Sequence, residues 1–141
     1  MRSLMAALVA VPIAVSSLLG NPVPAQADPV PLPPPYVDHT EWVSSGGLSS
    51  LRVYPTPAGR AASGRLGTSS KQGAEAWSEV LASAPDADTP GMRAQFLCHW
   101  QFAELVEPGK TSWNLEPWRP VVDPNEMVSS GCNPGGPEKA F

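Results

Sequence analysis

The sequence predicts a small single α+β domain, and three observations carry that expectation. Its 141 residues are too few to split into two cores. Residues 37–55 are rich in β-formers around Gly46-Gly47, whereas residues 72–84 repeat apolar side chains at helical spacing. Cys98 and Cys132 bracket a proline-rich carboxy-terminal third. The expected architecture is an N-terminal β-hairpin, two short helices, one further strand and a disulfide-tethered Pro-rich C-terminal tail. That domain spans 37–141, behind a signal peptide at 1–27 and a Pro-rich linker at 28–36.

The leader carries an address. Met1-Arg2 is a basic start, Leu4 to Leu19 holds no charge, and Ala25-Gln26-Ala27 places small residues at −3 and −1 of a cut before Asp28. The apolar run is 16 residues long and contains Pro12, shorter than the ~20 that cross a bilayer, so cleavage is favoured over a retained anchor. No Cys follows the cut, which excludes a lipid-modified lipoprotein. The expected destination is secreted, extracellular or cell-wall associated, with no membrane contact after cleavage. From Asp28 to Pro35 the chain reads D-P-V-P-L-P-P-P, an extended polyproline spacer with no core of its own.

The elements follow in order. Val37–Val43 and Leu48–Tyr54 flank the Gly-Gly turn and form the hairpin. Pro55-Thr56-Pro57 ends it, and residues 58–70, small and glycine-rich, read as a mobile loop. From Gln72 to Ala84, Ala74, Trp77, Leu81 and Ala84 make an apolar stripe, and Pro85 stops that helix. Thr89 as N-cap and Pro90 at the first helical position open a second helix running to about Phe96. Leu97–Val106 fits either a helix extension or a strand. The alternation of Phe96, Cys98, Trp100 and Phe102 favours a strand from about Leu97 to Glu104. Six prolines between 108 and 137 then leave mainly extended loops.

In an exported chain the two cysteines pair. Bridging Cys98 to Cys132 closes a loop of about 34 residues, worth about 3.5–4 kcal/mol at the upper end in the chain-entropy picture. A Cys nucleophile with His99 as base is a poor alternative, because neighbouring strand side chains point to opposite faces.

Several function classes drop out. A formal net charge of −4 and a pI near 5.0 give no electrostatic reason to bind nucleic acid. The cysteine and histidine spacing builds no zinc finger, no metal site is expected, and no phosphate-loop, dinucleotide or zinc-protease motif calls for a cofactor. The densest polar and aromatic stretch is W-N-L-E-P-W-R-P-V-V-D at 113–123. There Glu116 and Arg119 are expected to form a salt bridge, since a planar guanidinium matches a carboxylate in a bidentate way. Trp113 and Trp118 either cap the core or, with Asn114, form a ligand-binding groove. His99 is the candidate acid/base, with Glu116 and Arg119 as its partners in an enzymatic alternative. Arg60 and Arg65 lie in the loop at 58–70, where solvent exposure is favoured over contact with an anionic polymer.

Four strings carry a family resemblance: L-R-V-Y-P-T-P-A-G-R at 51–60, M-R-A-Q-F-L-C-H-W at 92–100, W-N-L-E-P-W-R-P at 113–120 and G-C-N-P at 131–134. Across about residues 37–135 the chain resembles a family of small secreted domains of unknown function from mycobacteria and related Gram-positive bacteria. The resemblance implies export and a compact domain. It directs interest to Gln95, His99, Asn114, Glu116 and Arg119 without assigning roles. The leading expectation is a binding or structural module that meets a cell-envelope polymer. The alternative is a secreted envelope hydrolase or toxin-like effector using His99, Glu116 and Arg119.

Overall fold

The computed structural model describes residues 20–25, 32–65 and 70–141. Most of the expected signal peptide, the start of the linker and residues 66–69 of the expected loop lie outside the described residues.

Strand β1 (Val37–Ser45) and strand β2 (Leu48–Pro55) pair antiparallel through a two-residue turn. Gly46 and Gly47 both have positive φ, 58° and 80°, as that tight turn requires. A short strand β3 (Trp113–Leu115) adds to the other edge of β2, giving the order β1-β2-β3. The further strand therefore exists, but at 113–115 rather than at 97–104. With Leu51 opposite Leu115 and Val53 opposite Trp113, β2 and β3 present a buried apolar face, which Trp42 of β1 borders opposite Leu51.

The interval 58–70, expected as a loop, begins with helix α1 (Pro57–Ser63). Thr56 is its N-cap, the hydroxyl accepting from Gly59 N at 2.9 Å, and Pro57 holds the first turn. The Thr-Pro pair that ends the hairpin also starts this helix. Arg60 is no solvated loop residue either. It bonds Glu104 at 2.6 Å and the Lys110 carbonyl at 2.7 Å, tying α1 to the segment 104–110.

Helix α2 (Ser70–Ser83) agrees with the stripe at 72–84 and buries Ala76, Trp77 and Val80. Its Glu79 accepts from the backbone N–H groups of Tyr36 and Val37, each at 2.7 Å. Tyr36, counted with the linker from its sequence context, is 4% exposed and packs edge-on against Trp100.

Helix α3 runs from Met92 to Val106, so the strand expected at 97–104 is helix. The physical reason is legible in hindsight: the alternating pattern is two helical stripes offset by two positions. Met92, Phe96 and Trp100, four residues apart, face the sheet and meet Trp77 and Trp113. Cys98 and Phe102, also four apart, face a second small core with Met127, Cys132 and Val122. Thr89-Pro90 lies just ahead of the start, and Gly91, at φ 86°, takes the N-cap position.

The carboxy-terminal segment holds more regular structure than its prolines imply. Asp123 caps helix α4 (Pro124–Ser129) by accepting from Glu126 N at 3.0 Å. The Cys98–Cys132 disulfide, with Cα atoms 5.6 Å apart, joins α3 to the turn after α4. The remaining tail crosses the polar face of the sheet, where Arg52, Asn114 and Arg119 bond it.

Candidate functional site

Gln95, His99, Glu116 and Arg119 form one connected network, and the fold gives its two ends different surroundings. Gln95 sits one turn before His99 on α3. Its side-chain amide donates to the Glu116 carbonyl and accepts from Glu116 N, both at 2.9 Å, which pins the end of β3 to α3. The Gln95 backbone carbonyl in turn accepts from His99 Nδ1 at 2.8 Å.

The Glu116–Arg119 end is closed. The expected salt bridge forms at 2.8 Å with both side chains fully buried, but through Arg119 Nε alone rather than bidentate, because the other guanidinium nitrogens turn to the tail. The other Glu116 oxygen accepts from Ser50 Oγ at 3.0 Å. The remaining Arg119 donors reach the carbonyls of Pro134, Gly136 and Pro137 in the tail. A carboxylate and guanidinium so engaged hold the second face of the sheet to the carboxy-terminal segment, a charge-assisted arrangement that needs every partner in place.

The His99 end is open. His99 lines a cleft of about 200 Å³ between the ends of α3 and α4. Phe102, Val106 and Val128 form its apolar walls, Cys132 of the disulfide adjoins them, and Lys110 and Asn133 stand at its edge. Burial lowers the pKa of His99. The hydrogen bond to Gln95 and the charges of Glu116 and Glu138 oppose that change, while Lys110 adds to it. The ring is therefore neutral at neutral pH. Because Nδ1 donates to a carbonyl, Nε2 carries the lone pair. Lys110 bonds Glu138 at 2.5 Å and lies 3.6 Å from Glu107. Burial acts to lower the Lys110 pKa, but these two carboxylates outweigh it and raise the value. For Glu138, burial acts upward, and the bonds to Lys110 and Asn114 bring the pKa below its usual range.

The three residues named for a ligand groove separate. Trp113 is enclosed in the core at 0% exposure, so its ring offers no face to solvent. Asn114 is half-buried, accepts from Ser112 Oγ at 2.8 Å and donates to Glu138. Trp118 is half-buried too: its indole N–H reaches the Ser49 carbonyl at 3.0 Å, and Arg119 and Lys139 stand against its ring at 4.6 and 5.4 Å. An open depression of about 450 Å³ beside Asn114 is bounded by Arg52, Glu138, Lys139 and Phe141. His99, Glu116 and Arg119 are thus linked through Gln95 without sharing one concave surface.

Sequence reasoning missed Lys110, Glu138, Phe102 and Val128. Only Phe102 carried a signal, as a member of the alternating pattern assigned to a strand. Lys110 and Glu138 meet across 28 residues of chain, which no local spacing encodes.

Among the described residues, no group of three or more His, Cys, Asp or Glu is placed to hold a metal ion, and no helix is long and apolar enough to cross a membrane.

Residues 37–135, the whole of this sheet-and-helix unit up to the turn after the disulfide, match the family described as "Protein of unknown function (DUF2599)". The chain belongs to that family. Among its relatives is the uncharacterized protein Rv0477 of Mycobacterium tuberculosis (strain ATCC 25618 / H37Rv), 58% identical over 151 residues, covering 97% of this chain and all of the relative. The uncharacterized protein Mb0487 of Mycobacterium bovis matches to the same extent. The uncharacterized protein ML2452 of Mycobacterium leprae is 52% identical over 101 residues, covering 72% of this chain and 80% of the relative. No solved structure matches the chain. The DUF2599 match begins with β1 and ends just past Cys132, so both sulfurs and the Gln95–Glu116–Arg119 network fall inside it.

Proposed function

We propose that this DUF2599 domain is an exported, non-catalytic binding module of the cell envelope. One observation carries the reading. The charged residues that an enzyme would use are engaged inside the fold, with both Glu116 oxygens and three tail carbonyls committed to Arg119 and Ser50. Acid/base chemistry needs a group within reach of the substrate proton, and such buried carboxylate and guanidinium groups have none to reach. Export is supported by the basic-apolar-small pattern of residues 1–27 and by the Cys98–Cys132 bridge, a bond favoured in oxidising compartments. The polymer-facing surface is the depression beside Asn114, where Arg52 and Lys139 supply cationic donors, together with the half-buried Trp118 ring that Lys139 stands against.

The test is sedimentation with insoluble envelope from the producing cell. The purified chain is expected to pellet with the polymer, to lose retention in Trp118→Ala, and to release no soluble sugar or peptide. Absence of retention overturns the reading. So does release of fragments that stops in His99→Ala.

A further inference from the structure

The cleft at His99 is a different pocket from the depression at Asn114, and its chemistry is different. His99 is 6% exposed, yet its Nε2 has no hydrogen-bond partner among the described residues. The Nδ1 bond to the Gln95 carbonyl fixes the ring and tautomer, so the Nε2 lone pair is the acceptor left for the cleft. Nε2 is open to the cleft rather than sealed in the core, so a ligand hydroxyl takes the place of water as its donor and gains the modest net worth of one hydrogen bond.

The surroundings narrow what that ligand is. The walls are Phe102, Val106 and Val128, so most of the contact is apolar. The nearby charges are already matched: Lys110 sits between Glu138 and Glu107, leaving no unpaired ion to call for an anion or a cation. A charged group would therefore lose hydration without gaining a partner. Volume sets the size. A cavity of about 150 Å³ holds benzene, and this cleft offers about 200 Å³.

We propose that the cleft binds an uncharged, ring-sized apolar group bearing one hydroxyl, with His99 Nε2 accepting the hydroxyl hydrogen and Phe102, Val106 and Val128 flanking the ring. No bond is made or broken. The site is a different pocket from the proposed polymer surface, with the Lys110–Glu138 pair standing between the two.

The experiment titrates the full oxidised chain, labelled at histidine nitrogen and at Val methyls, with phenol and with toluene. These probes share a ring and differ in the donor. Phenol is expected to saturate, to move the His99 Nε2 resonance and the Val106 and Val128 methyls, and to bind about fivefold to tenfold more tightly than toluene, the net worth of one hydrogen bond. In His99→Phe that preference disappears. Val128→Phe, a half-exposed position that leaves the fold intact, blocks both probes. Equal affinity for the two probes overturns the proposal. So does a response outside these residues, or no saturation at the solubility limit, which would mean that only water fills the cleft. Trp118→Ala keeps phenol binding while losing envelope retention, so failure of one site is read apart from failure of the other.

Discussion

Replacing Arg119 with Met tests whether the Glu116–Arg119 pair is a clamp. The substitution removes one half of a fully buried ion pair and leaves the Glu116 carboxylate with Ser50 as its remaining side-chain donor. Breaking such a pair costs about 3–5 kcal/mol, since the surviving charge stays out of water. The buried bond to the Pro134 carbonyl goes too, and an acceptor stranded in the interior costs about 1–3 kcal/mol more. The Gly136 and Pro137 carbonyls are partly exposed and can turn to water, so they add little. The expected loss is near 5 kcal/mol, a large share of the 5–15 kcal/mol that holds a domain together. With a urea slope of about 1–3 kcal/mol/M, the midpoint falls by about 2 M or more. The double substitution Glu116→Met/Arg119→Met removes both charges and is expected to recover part of that loss, because well-packed apolar pairs replace buried ion pairs at little cost. Equilibrium urea unfolding of the oxidised protein, followed by Trp fluorescence, measures Arg119→Met, Glu116→Met and the double variant. An Arg119→Met cost below about 1 kcal/mol refutes the clamp. A double-variant cost equal to the sum of the two singles refutes the pairing itself.

Three other outcomes follow from the same structure. Cys98→Ala/Cys132→Ala opens a loop spanning 34 residues. It is expected to cost about 2–4 kcal/mol in urea unfolding and to speed amide exchange over residues 127–137, so unchanged stability would show that the bridge does not secure the tail. His99 has a folded pKa below its unfolded value near 6.5, so the unfolded chain binds more protons between those two values and stability falls as pH drops below 6.5. That part of the slope should vanish in His99→Phe; an identical pH profile in the variant would sink the assignment. Gly59→Ala places a Cβ 2.1 Å from the Tyr36 carbonyl, where backbone must move, and should cost about 2–3 kcal/mol in a thermal or urea melt. Wild-type stability for that variant would contradict the close crossing of α1 over the start of β1.

Parts of the candidate site were legible in the sequence, and each for a local reason. The spacing of Glu116 and Arg119 foretold a salt bridge, and the family strings drew attention to Gln95 and His99. Their division of labour was not legible. Whether a carboxylate is a catalyst or a clamp depends on what covers it, and Glu116 is covered by Ser50 from β2 and by Arg119, which the tail engages. Trp113 and Trp118 looked equivalent five residues apart, yet one is in the strand that faces the core and the other lies beyond its end.

The sequence by itself determined the α+β class, the Gly46-Gly47 hairpin, the helix around Trp77 and the pairing of Cys98 with Cys132. Each rests on neighbours in the chain or, for the sulfurs, on having a single partner. Tertiary structure decided the conformation of 97–106 and the surroundings of His99. Period-two alternation arises from a strand with one buried face, and equally from a helix with two buried stripes. Which applies depends on whether a second core exists to cover the other stripe. Here α4 and the disulfide-held turn bring Met127 and Cys132 onto Cys98 and Phe102, and the helix is selected.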